Sequence, residues 1–116
     1  ALQHQPIVIQ GGTQKIERID VRDAAAAICE LLKTDYRTWK PAYNVGNIIV
    51  SVLDLANTVQ EVASRKYGLD VQVTVEKSDV SVADFGMDCT LLQKTGWAPK
   101  HNLEDIIVSL FEYLNK

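Results

Sequence analysis

The apolar positions fall into short runs whose spacing changes along the chain, and each change marks an element. Ile7-Val8-Ile9 is a β-branched run that stops at Gly11-Gly12, a pair suited to a turn. Beyond it Ile16, Ile19 and Val21 stand among Lys15, Glu17, Arg18 and Asp20, an alternation that slips between Ile16 and Ile19. The slip predicts a bulge, or a strand beginning at Arg18, and the two runs predict a hairpin through Gly11-Gly12. From Ala24 the period lengthens to that of a helix, with Ala24, Ala27, Ile28, Leu31 and Leu32 on one stripe. Asp23 is the expected cap, because a carboxylate there accepts from an orphan backbone N–H and suits the positive helix end. Residues 33–41 read as a polar loop, with Trp39 covering an edge.

Ala42 to Val45 predicts a short buried strand ending at Gly46. Ser51 with Asp54 three residues on has the spacing of a capping box. The helix it opens carries Val52, Leu55, Ala56, Val59 and Ala63 and stops at Gly68. Val71, Val73 and Val75 alternate with Gln72 and Thr74, the pattern of a strand with one wet face. Asp79 to Gly86 has no period and reads as a loop. Asp88 is the expected cap of a short helix holding Leu91 and Leu92 and ended by Gly96. Asn102, with Asp105 three residues on, caps a last helix whose Leu103, Ile106, Ile107, Leu110, Phe111 and Leu114 form one stripe. The expected fold is a single α/β domain over residues 1–116, of mixed α+β character, with three or four strands and four helices.

The composition is that of a folded chain. Of 116 residues, 47% are hydrophobic and 23% charged, enough apolar surface to offset ordering entropy. The net charge of −3, with Arg65-Lys66 the only adjacent basic pair, leaves no stripe that would displace counterions from nucleic acid. The apolar runs are a few residues long, so no membrane span is expected, and a cytoplasmic location is. Cys29 and Cys89 are expected to be free, buried thiols.

Three motifs in fixed order carry a family resemblance. Gly11-Gly12-Thr13-Gln14 leads to Ile19-Asp20-Val21-Arg22-Asp23-Ala24-Ala25. Tyr43-Asn44-Val45-Gly46 enters a helix through Val50-Ser51. Asp88 precedes Gly96-Trp97-Ala98-Pro99 and then Leu103-Glu104. From about Ile7 to its end the chain resembles the C-terminal, substrate-binding lobe of the extended short-chain dehydrogenase/reductases, the NAD-dependent sugar-nucleotide epimerases and dehydratases. The resemblance implies an upstream Rossmann core of the same polypeptide as partner, NAD or NADP bound there, and a nucleotide-linked sugar as substrate. It implies hydride chemistry in the parent and no catalysis by this chain alone. A lobe cut from its core would expose an apolar face and self-associate through it.

The departures from the family pattern bear on the substrate. The position where the resemblance expects a phosphate-binding Arg is Ile16, and Arg18 stands two residues on. Where many members have Arg-x-Gly-Asp, this chain has Lys77-Ser78-Asp79. Ile16 in place of the phosphate-binding Arg favours an alternative parent, a reductase of the same fold acting on a non-sugar substrate such as a ketone or a steroid-like alcohol. A further alternative is a free-standing module of the same fold that binds a small anion or a protein.

The chain's own residues offer little catalytic chemistry. Tyr36 and Lys40 have the spacing of a catalytic pair, but Pro41 follows and the segment is a poor helix, so the pair would not stack on one face. Gly11-Gly12 lacks a third glycine at the dinucleotide spacing. His4 and His101 have no ligand partner at metal spacing, and His101 reads as a solvated loop residue. Asp20 is expected to face solvent, and Trp97 to anchor the terminal helix. The candidate substrate contacts are Arg18, Arg22, Asn44 and Lys77: guanidinium groups fork onto a phosphate and a Lys supplies a point charge. The competing reading for Arg22 is an ion pair with a nearby Asp, and for Asn44 a bond to nearby backbone.

Overall fold

The computed structural model describes residues 1–80 and 83–116. Among these described residues, four strands and four helices form in the order β1 (Ile7–Gln10), β2 (Lys15–Arg18), α1 (Val21–Leu32), β3 (Ile48–Ser51), α2 (Val52–Tyr67), β4 (Val73–Glu76), α3 (Thr90–Gln93) and α4 (Leu103–Leu114). A 3-10 turn at Tyr36–Thr38 interrupts the loop after α1. The mixed α/β class with four helices is the one that the spacing predicts.

The strands do not pair as neighbours in sequence. β1 runs parallel to β4, with Ile7 beside Val73 and Ile9 beside Val75. β2 runs antiparallel to β3, with Ile16 beside Val50 and Arg18 beside Ile48. The expected hairpin through Gly11-Gly12 is therefore absent. Both glycines have positive φ, 76° and 96°. They carry the chain out of one sheet and into the other rather than back on itself. A side chain on Gly12 would lie 3.2 Å from the Ile9 side chain and 3.3 Å from that of Leu53, so this turn presses on the start of α2. There its carbonyls serve orphan N–H groups: Leu53 donates to Gly12 O at 2.9 Å and Val52 to Gln14 O at 3.2 Å.

β2 ends at Arg18 instead of beginning there. The segment 42–45 is not a strand. Tyr43 and Val45 pack against the cluster of Ala27, Leu92 and Trp97, and pairing with β2 falls instead to the β-branched run Ile48-Ile49-Val50. Local signals hold better. Ser51 caps α2 by accepting from Asp54 N at 3.0 Å, and Gly68 ends it with φ 63°. Asn102 and Asp105 form a complete capping box on α4. Asp88 accepts from Thr90 N at 2.9 Å at the start of α3, although the N-cap position itself is Cys89. Of the expected 79–86 loop, residues 81 and 82 lie outside the described residues.

Two separate cores result. Val62, Ala63, Val71, Ile107 and Phe111 join α2, α4 and the strand side, with Tyr67 stacked on Phe111 at 4.8 Å between ring centroids. Ala27, Leu92 and Trp97 join α1 to α3. Trp97 is an anchor as expected, but what it anchors is α1. The stripe predicted on α1 is only half covered: Ala27 is buried, whereas Ile28 and Leu32 are 62% and 68% exposed, and Val21, read as strand, opens the helix 79% exposed. Cys29, on the same helix, is exposed rather than buried, while Cys89 is buried, and both thiols are free.

The molecule is a slab of 51 × 38 × 17 Å with a radius of gyration of 17.1 Å. A compact chain of this length has a radius of about 13 Å. The accessible surface of 8042 Å² likewise exceeds the roughly 6,300 Å² of a folded monomer of this mass. Large apolar side chains, among them Ile28, Leu32, Leu110 and Leu114, are part of what stays open.

Candidate functional site

Two carboxylates that sequence spacing assigns to a cap and to solvent are both buried. Asp20, 4% exposed, is the residue that caps α1. Its Oδ1 accepts from Arg22 N and Nε, each at 2.8 Å, and its Oδ2 accepts from Arg22 Nη2 at 2.7 Å. The forked bond from Arg22 holds the Asp20 carboxyl down at about 2, against the opposing effect of burial.

Asp23, 2% exposed, lies in the first turn of α1 and clasps the loop that enters α4. Lys100 N donates to it at 3.1 Å and His101 N at 2.9 Å, and His101 Nδ1 lies 2.8 Å from Oδ1. Trp97 Nε1 completes the joint by donating to Asp23 O at 2.9 Å. Burial pushes the Asp23 carboxyl up, but the bonds from His101 and Lys100 outweigh it and leave the group below its ordinary value. His101 is thus a bonded, partly buried residue and not a solvated one.

A cleft of about 220 Å³ opens between the β2–β3 sheet and the start of α3, among Glu17, Asn47, Asp88, Cys89, Thr90 and Gln93. Glu17 reaches it past Gly46, where any side chain would collide with its carboxylate, and accepts from Met87 N. Desolvation pushes the Cys89 thiol up; a backbone bond from Gly46 opposes this, and the charges of Glu17 and Asp88 add to it. The thiol therefore stays protonated and is a poor nucleophile.

Of the four predicted substrate contacts, only Asn44 adjoins this cleft, and its Nδ2 donates to Asp88 O at 3.0 Å. Arg22 is occupied by Asp20. Arg18 is exposed and lies next to Glu17, so its side chain leaves the opposite face of β2, the face that bears Ile16. Lys77 is exposed just beyond β4, in the other sheet. No hydrogen bond joins any two of the four among the described residues. Glu17 and Asp88, which do share the cleft, lie about seventy residues apart in sequence, and no spacing links them.

Among the described residues no group of three His, Cys, Asp or Glu side chains is placed to hold a metal, and no helix is long and apolar enough to cross a membrane. No protein-family model matches the sequence, and no curated protein matches it. Solved structures do. UDP-glucuronic acid 4-epimerase from Bacillus cereus, in complex with UDP-glucuronic acid and NAD, superposes with a TM-score of 0.79 at 19% identity. That match covers 98% of this chain and 36% of the epimerase. A UDP-glucose-4-epimerase from Stenotrophomonas maltophila, with bound NAD and formylated UDP-arabinopyranose, gives 0.77 at 21%, covering 95% and 35%. An L-threonine dehydrogenase from Cupriavidus necator gives 0.75 at 14%, covering 97% and 37%. This chain spans little more than a third of the structures it matches. Its fold is that of part of an extended short-chain dehydrogenase/reductase of the epimerase/dehydratase type.

Proposed function

We propose that this chain is the C-terminal substrate-binding portion of an NAD(P)-dependent epimerase/dehydratase acting on a nucleotide-linked sugar, and that it performs no catalysis alone. The observation that carries this reading is the β1–β4 sheet. Parallel sheets occur almost only as larger sheets covered on both faces. Here two parallel strands have no further neighbour among the described residues, and Val8 and Val75 are about half exposed. With the open stripe of α1, this is the surface of a piece whose covering layer is a separate body. An upstream Rossmann core that carries NAD or NADP fits that requirement, and the hydride chemistry would belong to its cofactor. This lobe would orient the sugar nucleotide. Arg18, on the β2 face that bears Ile16, would supply the guanidinium for a phosphate, with Lys77 as a second positive charge.

A second reading keeps the fold and changes the substrate. Ile16 removes the charge that a nucleotide phosphate would meet, and the L-threonine dehydrogenase shares the fold without a sugar in its name. Calorimetry separates the two. Under the leading reading, uridine or thymidine diphosphate gives heat with the isolated chain and NAD gives none. Heat from NAD, or silence with every nucleotide, overturns it.

A further inference from the structure

Residues 84–87 run alongside β2, and Met87 forms one wall of the cleft beside Glu17. Lys15 gives both its backbone groups to this segment: its N–H donates to Asp84 Oδ1 at 2.9 Å and its carbonyl accepts from Phe85 N at 3.0 Å. Glu17 accepts from Met87 N, and the Cys89 thiol reaches Met87 O at 3.8 Å. Asp84, Phe85 and Gly86 are exposed and Met87 is half-buried, and none of the four joins either buried apolar cluster. We infer that these residues are a strap that opens as one unit, pivoting at Asp88 and latched by the Glu17 carboxylate, and that its opening controls access to the cleft.

Three observations carry this. Opening is easy where few buried apolar contacts must break, and the strap is held mainly by hydrogen bonds near the surface. The pivot is fixed separately from the latch. Thr90 N donates to Asp88 Oδ1 at 2.9 Å and Asn44 Nδ2 to Asp88 O at 3.0 Å, so α3 keeps its place when Met87 lifts. The latch is a charge-assisted bond whose acceptor is aimed from β2, through a passage that only Gly46 leaves clear. Gly86 lets the closed strap lie flat: a side chain there would stand 2.9 Å from Ile49 Cδ1. Lifting Met87 frees the Glu17 carboxylate as an acceptor inside the cleft and uncovers the Cys89 thiol, which is 8% exposed when the strap is closed.

Amide hydrogen exchange read by NMR tests this at Phe85, whose own bond goes to Lys15 and not to the latch. In the wild-type chain Phe85 should be protected, and its exchange should not quicken in low urea, because a local opening exposes little surface. Glu17→Gln, which turns a charged acceptor into a neutral one, should speed exchange at Phe85 about tenfold. Gly46→Ala displaces the carboxylate but keeps its charge, and should do the same. Ile107→Val, which weakens the other core, should leave Phe85 unchanged. In a Cys29→Ser background, alkylation of Cys89 by iodoacetamide should follow the same order of variants. Exchange at Phe85 that is unprotected in wild type, that climbs with urea from the outset, or that neither Glu17→Gln nor Gly46→Ala alters overturns the inference. So does a gain in Ile107→Val as large as that in Glu17→Gln.

Discussion

The Asp23 carboxylate and the His101 imidazole meet at 2.8 Å across 78 residues of sequence. An ionised carboxylate only accepts hydrogen bonds, so Nδ1 is the donor in this contact. The same carboxylate serves two backbone N–H groups, which ties the first turn of α1 to the entry of α4. Few other contacts fix α1, whose outer stripe is bare.

Removing that acceptor strands two part-buried N–H donors and the imidazole. Asp23→Ala should lower unfolding free energy by about 2–4 kcal/mol, from the usual cost of unsatisfied buried donors. Asp23→Asn, which keeps one acceptor oxygen, should lose less. Urea denaturation measures both, and a midpoint unchanged in Asp23→Ala would show that the clasp holds nothing.

Acid should weaken the fold through Asp20. Its carboxyl sits at about 2 in the folded chain against an ordinary value of 3.8, so the unfolded state takes up its proton first as pH falls. The stabilisation is complete above about pH 4 and disappears as pH drops towards 2. Arg22 is half exposed, and screening by solvent trims the gain to about 1 kcal/mol. Asp20→Asn keeps a competent cap and loses the titration. The gap in stability between wild type and variant should therefore close between pH 4 and pH 2. A gap constant over that range would assign the low value to another cause.

What the sequence made legible was local. Ser51, Gly68, Asn102 and Asp105 each act within a turn of their own helix, and periodicity with cap chemistry located α2 and α4 closely. What it hid was pairing over distance. Nothing near Ile7 says that its partner is Val73, and the nearby Gly11-Gly12 made a local hairpin look natural. Asp20 and Asp23 were separable only through Trp97, Lys100 and His101, which reach Asp23 from the other end of the chain. The same reason governs the site residues. The Asp beside Arg22 is Asp20, and the backbone carbonyl that Asn44 reaches is that of Asp88, 44 residues on rather than close by in sequence. Glu17 entered the cleft through contacts with Gly46 and Met87 that no motif encodes.

Gly46 is required for the approach of Glu17. A methyl group there would meet the end of the Glu17 side chain, which can swing aside but must then release Met87 N. Gly46→Ala should cost about 1.5–3 kcal/mol, the range for one hydrogen bond to a charged group lost. In a Glu17→Ala background the same change should cost much less, because the obstacle is gone. A double-mutant cycle reads the coupling, and additive effects would mean that the two residues act independently.

The α1 stripe separates a docking face from a folding core. Because Ile28 and Leu32 are largely exposed, neither contributes much burial to this chain on its own. Ile28→Glu with Leu32→Lys also places opposite charges four residues apart on a helix, a slightly favourable spacing. The double variant should therefore unfold within about 0.5 kcal/mol of wild type, as surface changes do. If the stripe instead seats against an upstream core, the longer polypeptide carrying that core should lose several kcal/mol with the same two changes, since two charges would then be buried unpaired. Thermal denaturation of both lengths of chain gives the comparison. Equal tolerance in the two would mean that α1 faces solvent in the whole protein and that the covering layer lies elsewhere.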